Sequence, residues 1–452
     1  MRSECSRDFF PELAYAGLMQ HRASLCTLLV PLVLVAGCSD EPNAPTLPGD
    51  PPYVPPPESC TPVDIDDPRT FHPCNLGSGI FGTWVIDDLG LPAYEYGLDQ
   101  NADPRASFFN TEDVDRRDHW SAIGNGRVNA TVSNDGFVEV TMQDRGVTYL
   151  DKLDAEQGNW AGGHGWIDDG EATWSTAYVF RPAGAKTTRR FGVGYAESTM
   201  EYRDISLLRR TFAPAGDAPL VLDEVTLENR GDSPRTLKHY EFWDVGRRPI
   251  EINWLVSGKP FTGAPGLTRA ARDARNELFD ERMSYDSAER TLRLVREHAA
   301  GTMPPPIDEP NAVDHYPGDP FLVALVGDVA DVYTDQASFF GDGGPKAPLA
   351  VTTRAKGRGL AGGEVEAQAS GKGQPRMMAL RTDLTLAPGE KKTLRFGFGA
   401  SAMGANPAPL ITPAFRDPAR DLRAELATSL RKNMFYFAPE KDPFLHREMA
   451  WH

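Results

Sequence analysis

One stretch narrows the fold more than any other: PLVLDEVTLENRGDSPRTLKHYEFWDVG, residues 219–246. Two runs of alternating apolar and polar residues flank NRGDSP, a segment rich in turn formers. Alternation with period two marks a strand with one buried face, and the intervening turn residues predict a hairpin. The same texture recurs in GFVEVTM (136–142), EATWSTAYVF (171–180), RRFGVGYAES (189–198), DISLLRRTFAP (204–214), TLRLVREH (291–298), FLVALVGDVADVY (321–333) and EKKTLRFGFGAS (390–401). No strand–helix–strand rhythm appears, which argues against a parallel sheet. No repeat of the propeller or solenoid kind appears either. The chain is therefore mainly β and antiparallel between about residues 77 and 400, and its 452 residues suffice for two domains or one very large β domain. A helical stretch, GLTRAARDARNELF (266–279), and a Pro-rich loop (303–320) interrupt it.

The ends differ in character. LCTLLVPLVLVAG (25–37) is apolar but too short to span a bilayer as a helix, and it fits a signal-peptide core. It runs through Ala36 and Gly37 into Cys38, an order that resembles a bacterial lipobox with Cys38 as the lipidated residue. A plain secretory signal with an incidental cysteine is the alternative. The acidic residues Glu4, Asp8 and Glu12 do not suit a signal's basic start, so Met19 is the expected translation start, ahead of His21 and Arg22. Residues 1–38 read as leader and 39–76 as a tether with a small loop. The Pro-rich run 39–59 would reach about 60 Å at roughly 3 Å per residue. With Cys5 and Cys26 in the leader and Cys38 lipidated, Cys60 and Cys74 remain. An exported compartment permits their pairing, and closing a loop of about 15 residues contributes roughly 3 kcal/mol in the chain-entropy account. A zinc site is the weaker reading, since His72 alone does not complete a ligand set.

At the other end, DPARDLRAELATSLRKN (417–433) is an amphipathic helix with Leu422, Leu426 and Leu430 on one face. Asp417 and Pro418 are its expected start. DPFLHREMAWH (442–452) opens a second helix with Asp442 as cap and Pro443 at its first position.

The formal charge of −17 and pI near 5.0 give no basic excess, so nucleic acid is not an expected partner. G-x-S-x-G, H-E-x-x-H and phosphate-loop patterns are absent. GRGLAGG carries a formal G-x-G-x-x-G at Gly357, Gly359 and Gly362, but no helix pattern follows, so it reads as a loop. DQNAD (99–103) fails as a calcium loop, with Pro104 and Asn110 at the positions that need Gly and Glu. Trp120, Trp160, Trp166, Trp174, Trp243 and Trp254 crowd the first half of the β region, and GNWAGGHGWIDDGEATW adds His164 among three of them. Such rings suit the apolar faces of sugars, and equally they suit a core. Glycoside cleavage needs two carboxyls, one of them protonated, and no spacing singles out a pair. Glu241 and Asp244 fall on opposite faces of a regular strand.

DHWSAIGNGRVNATVSNDGFVEV (118–140), together with 219–245 and SFFGDGGPKAPLAV (338–351), resembles the N-terminal half of cellobiose phosphorylase-like proteins. These are the family 94 glycoside hydrolases, formerly glycosyltransferase family 36. DLTLAPGEKKTLRFGFGAS resembles the family's last sandwich strand. The resemblance implies a large antiparallel β super-sandwich of galactose mutarotase-like type at 77–400. Linker helices at 401–452 would lead into an (α/α)6 barrel that is absent or truncated here. It further implies inverting phosphorolysis, or in some members related transfer, of β-glucosides, with a barrel Asp as general acid, inorganic phosphate as nucleophile, and no metal or organic cofactor. No catalytic residue carries over, because the family's lie in the barrel.

In the family, sandwich loops shape the active-site mouth and take part in dimer contacts. Asp118, His119 and Trp120 are therefore the expected sugar-side lip, with Trp160, His164 and Trp166 as further candidates. A buried turn that orders neighbouring strands is the other reading of the lip. Expected partners are an oligo- or polysaccharide, a membrane through the lipid anchor, and a second copy as homodimer. The expected location is exported and lipid-anchored to a bacterial membrane. Because phosphorolysis suits the phosphate-rich cytosol, hydrolysis, binding alone or another activity is the alternative expectation for an exported relative. Without a barrel, Leu422, Leu426, Phe435, Phe437 and Trp451 are expected to stay partly exposed.

Overall fold

The computed structural model describes residues 61–77, 79, 82–97, 119–142, 148–155, 158–245, 248–249, 277–308, 316–361, 363–367, 376–437 and 439–452. The alternating runs become strands of two large sheets, and the pairings among the described strands are antiparallel. The first sheet has eleven strands. In spatial order they are β1 (Gly82–Ile86), β2 (Pro92–Tyr96), β11 (Lys186–Gly192), β12 (Tyr195–Tyr202), β13 (Ile205–Phe212), β14 (Leu220–Asn229), β23 (Lys391–Ser401), β19 (Asp319–Val326), β18 (Thr291–His298), β17 (Phe279–Asp286) and β21 (Gly363–Ala367). The second sheet runs β16 (Arg248–Pro249), β6 (Thr148–Tyr149), β5 (Val138–Met142), β9 (Gly162–Asp168), β15 (Arg235–Asp244), β22 (Arg376–Leu386) and β20 (Asp331–Asp335). β3 (Trp120–Gly124) and β4 (Val128–Ser133) extend it beside β5, and β10 (Thr173–Ser175) pairs with β9. β7 (Leu153–Asp154) and β8 (Asn159–Trp160) form a small ribbon.

The main core lies between the sheets. Leu207, Val225, Leu227, Leu394, Phe396 and Phe398 from the first meet Val140, Ile167, Leu237, Trp243, Met378 and Leu380 from the second. Trp243 stacks on Phe398 across the gap, with centroids 4.4 Å apart.

The stretch 219–246 corrects the expectation of a hairpin. β14 pairs with β13 and β23, whereas β15 pairs with β9 and β22, so the two strands never pair with each other. NRGDSP is an arch that carries the chain from one sheet to the other. Its residues suit a sharp turn of either kind, and only the pairing distinguishes them. Asn229, fully buried, fixes the arch. Its Nδ2 donates to the carbonyls of Ser233 and Leu386, and its Oδ1 accepts from the Gly231 N–H. The neighbouring β22–β23 arch docks on the same residue through Gly389 N–H to Asn229 O. Asn229→Ala is expected to cost about 2 kcal/mol in urea denaturation, because it orphans buried carbonyls as well as removing hydrogen bonds.

RRFGVGYAES is a hairpin, not one strand. β11 and β12 pair through a turn at Gly194, whose φ of 75° favours glycine. A Cβ there would also meet Leu430 at 2.7 Å. Of the expected helix 266–279, residues up to 276 lie outside the described residues, and Phe279 opens β17.

Both outer faces are partly covered. The second sheet carries α1 (Gln336–Phe340) and α2 (Leu349–Thr352), which bury Phe339, Phe340 and Val351 against Trp166, Tyr240 and Phe242. The first sheet carries α3 (Leu422–Asn433), where Leu422 and Leu426 bury against Leu220, Leu222 and Phe321. α3 begins at Leu422 with Asp421 as cap, later than expected. The reason is Arg395, whose guanidinium holds the carbonyls of Phe415, Asp417 and Arg420 and keeps 415–420 out of the helix. α4 (Pro443–Trp451) starts on Asp442 as expected.

The terminal segment is more enclosed than the sequence suggests. Phe71, Leu76, Leu91, Val193, Ala427 and Ala450 form a satellite core with Trp84, Leu430 and Trp451 around it. Phe71 stacks on His446 at 4.7 Å, so residues expected to belong to the tether pack on α4 instead. Leu422 and Leu426 are buried, which corrects the expectation for them. Phe437 and Trp451 are half-buried, and Phe435 is 77% exposed. No described helix is long and apolar enough to cross a membrane.

Candidate functional site

The expected lip sits at one edge of the second sheet. Asp118 lies outside the described residues. His119 precedes β3 and is held by Asn134, which accepts the His119 N–H through Oδ1 and donates its own N–H to His119 O. The hydroxyl of Tyr96, from the first sheet, meets His119 Nδ1. Trp120 is the first residue of β3, opposite Ser133, and is 53% exposed. An exposed indole beside an anchored imidazole offers a stacking face and a fixed ring. Behind this edge a cavity of about 30 Å³ runs between the sheets, lined by Ser133, Gly136, Tyr178, Arg189, Ser198 and Arg209 among others. Arg189 stacks between the rings of Tyr96 and Tyr178 and donates to Asn134 O, so one cation ties the edge together. At about 30 Å³ the cavity takes a water, not a sugar ring.

The other candidates are placed elsewhere. His164 and Trp166 are each 1% exposed, under α1 and α2. Trp166 donates Nε1–H to Pro345 O and packs on Phe242, Phe339 and Phe340. His164 is ringed by Phe137, Trp166 and Phe242. Burial, aided by the nearby Arg209 charge, pushes its imidazole down to about 3, although the Trp160 carbonyl pulls the other way. These two rings have no face left for a ligand, which corrects the reading of them as sugar contacts. Trp160 is half-buried against the same cluster, with its N–H bonded to Asp244 Oδ2. The structure therefore brings His119 and Trp120 together at one edge, buries His164 and Trp166, and leaves Trp160 half-buried against their cluster.

A second, larger cleft of about 420 Å³ lies between the β9–β10 turn and the β14–β15 arch, lined by Asp168, Asp169, Glu171, Ser233, Arg235 and Lys238 among others. Its charges are committed to one another. Asp168 accepts from both arms of Arg354 and lies 3.3 Å from Lys238, while Asp169 accepts from Arg203 and Arg235. Burial alone would raise Asp168 and Asp169. Arg354 for the first, and Arg203 with the Ala172 N–H for the second, outweigh it and hold both carboxyls below the ordinary range. Neither can act as an acid at neutral pH.

Carboxyls raised by burial do exist: Asp151, Glu241 and Asp319. All three are fully buried, so they fail the access requirement of glycoside cleavage. The formal G-x-G-x-x-G is a loop as expected: the Gly357 and Gly359 N–H groups donate to the Asp331 carboxylate, leaving no cradle for a phosphate. Among the described residues no group of His, Cys, Asp or Glu is placed to hold a metal ion. Cys74 forms a disulfide. Cys60, its expected partner, and Cys38 lie outside the described residues.

Sequence reasoning missed Tyr96, Asn134, Tyr178 and Arg189, which build the edge. Arg189 shares the parity of the apolar Phe191 along β11, a charge where a core residue belongs, and that signal could have found it.

Fold and edge together define an antiparallel super-sandwich with an exposed indole at its rim. Residues 106–248 match the Glycosyl hydrolase 94 supersandwich domain, the family resembled by the sequence, and this makes the region a sugar-related domain. The matched segment supplies strands to both sheets. A search of curated proteins finds no match. Among solved structures, the chain is similar to a putative kojibiose phosphorylase from the human microbiome, at 8% identity and TM-score 0.35, covering 79% of this chain and 36% of that one. It is similar to a polysaccharide lyase at 14% identity and TM-score 0.32, covering 63% and 34%. It is also similar to a galactose mutarotase-like protein from Clostridium acetobutylicum at 10% identity and TM-score 0.26, covering 62% and 95%. At these scores the three carry no functional argument. The chain spans about a third of the length of the phosphorylase and of the lyase.

Proposed function

We propose that this chain is the non-catalytic, carbohydrate-binding and supporting sandwich of an exported family 94-like glycoside phosphorylase or hydrolase acting on β-glucosides. Catalysis would be carried by a helical barrel outside these residues. The observation that carries the reading is the supersandwich match over 106–248. The enclosure of every raised carboxyl named above supports a binding rather than a cleaving role for the described residues. Ligand contact is assigned to the rim at His119 and Trp120. Calorimetric titration with a broad panel of β-glucan oligosaccharides tests it. Trp120→Ala is expected to weaken binding by up to about tenfold with little change in melting temperature, since the ring is exposed. Silence of the unmodified chain across the panel overturns the reading. Export and anchoring through Cys38 are part of the proposal, and palmitate labelling lost in Cys38→Ser is the expected result.

The satellite core formed by Phe71, Leu76, Leu91 and the terminal helices favours a second reading, an autonomous sugar-binding surface lipoprotein, because these helices have an enclosure of their own. The gene beyond codon 452 separates the two: barrel-like helical repeats support the first reading, and their lack supports the second.

A further inference from the structure

Three strands of the sandwich place charge where the alternation calls for core. Arg209 on β13, Asp223 on β14 and Glu241 on β15 all face the gap between the sheets, and none is more than 4% exposed. Arg209 grips Glu241 with both arms, Nη1 to Oε1 at 3.0 Å and Nη2 to Oε2 at 2.9 Å. The same Nη1 also donates to Asp223 Oδ2. Two carboxyls from opposite sheets therefore converge on one nitrogen and come within hydrogen-bonding reach of each other. Thr211 donates to Asp223 Oδ1 at 2.7 Å, and Trp243 Nε1–H donates to Glu241 Oε1 at 3.1 Å. His239 Nε2 lies 3.6 Å from Glu241 Oε2. The strand neighbours directly opposite Glu241 are Gly165 and Leu380, which carry no charge.

The count of charges decides what this cluster holds. One guanidinium faces two carboxyls. If both were ionised, a net negative charge would sit in an apolar core, which is costly. His239 cannot balance it, because burial and the Arg209 charge both push its imidazole well below the ordinary histidine range. Two carboxyls in one site cannot both ionise easily, and one retains its proton. The cavity of about 30 Å³ lined by Ser133, Ser198, Arg209 and Thr211 among others leaves room for a water beside the cluster.

We propose that folding loads one proton onto Glu241, held between Arg209 and Asp223, so that the contact between the two sheets is proton-dependent. Burial raises the Glu241 carboxyl despite Arg209, and Asp223 raises it further. A carboxyl raised on folding stabilises the native state most below the ordinary glutamate value and loses that contribution as pH climbs through the raised value. In that window the unfolded chain binds fewer protons, so unfolding releases one. The folding constant then falls by up to about tenfold per pH unit for this single proton. Asp151 and Asp319, also raised by burial, add slopes of the same sign, so the difference between variants is the readout.

The test is denaturant unfolding of the full chain from about pH 5 to about pH 9. Glu241→Gln and Asp223→Asn each leave one cation facing one anion. Both are expected to flatten the stability profile by the same single-proton amount and to lower proton release on unfolding by one. Unchanged slopes in both variants, with stability merely lowered at every pH, overturn the proposal. Asp223→Asn keeps groups able to bond Arg209 and Thr211, and it decides the matter if Glu241→Gln fails to fold. If neither folds, carbon-13 titration of glutamate carboxyls in the unmodified chain decides: one glutamate staying protonated near neutrality supports the proposal, and ionisation of all of them in the ordinary range overturns it.

Discussion

Arg209→Met is expected to destabilise the protein by about 3–5 kcal/mol at neutral pH, the cost of leaving a buried charge cluster without its cation. Methionine fills similar volume, so the loss is electrostatic more than a loss of packing. What remains is Glu241 and Asp223, from opposite sheets, with only Trp243 Nε1–H and Thr211 O–H as donors among the side-chain contacts described above. The loss should shrink in acid. With the guanidinium gone both carboxyls are raised on folding, so the variant gains stability as pH falls toward the ordinary carboxylate range. Urea denaturation at neutral and at mildly acidic pH checks both statements. A cost below about 1 kcal/mol at neutral pH, the level of an exposed ion pair, would show that the cluster is not holding the sheets together. Arg209→Lys should recover only part of the loss, because an ammonium cannot grip Glu241 with two parallel bonds.

That cluster also shows what a sequence reveals and what it withholds. Along β13 the inward parity reads Ile205, Leu207, Arg209, Thr211; along β14 it reads Val221, Asp223, Val225, Leu227; along β15 it reads Leu237, His239, Glu241, Trp243. A charge stands in an apolar register on each strand, and this is visible in the letters alone. That the three charges meet is not visible, because it depends on which strands lie across from one another. The same limit explains NRGDSP. Turn chemistry places a reversal there but does not say whether the chain returns to the same sheet or crosses to the other. Local pattern fixed the strand class, the Asp442 cap and the loop at Gly357. Long-range pairing fixed the arches and the burial of His164 and Trp166. Trp120 and His119 remained together at an edge because β3 is a border strand, so their neighbours in sequence are also their neighbours in space.

Arg423→Ala is expected to release the terminal helices from the sandwich at a cost of about 3 kcal/mol, the lower end for breaking a buried pair. Arg423 lies on the buried face of α3 and reaches across to the turn between β1 and β2. There it donates to Asp87 Oδ2 at 2.6 Å and to Asp88, and its plane covers the Tyr195 ring at 4.0 Å. Asp87 is spared the full penalty because its other oxygen accepts the N–H groups of Leu89 and Leu91. Arg431, two turns on, ties the same turn through Leu89 O at 2.6 Å. These contacts, with the satellite core around Phe71 and Ala450, make α3 and α4 one unit with Phe71, Leu76 and the β1–β2 turn. Loosening one anchor should therefore open the whole unit locally before the sheets unfold. Limited proteolysis should show new cuts beyond residue 416 in Arg423→Ala, while the unmodified chain resists there. An unchanged cleavage pattern and melting temperature would mean that Leu422 and Leu426 suffice to hold α3, and that the ion pair to the β1–β2 turn adds nothing beyond their burial.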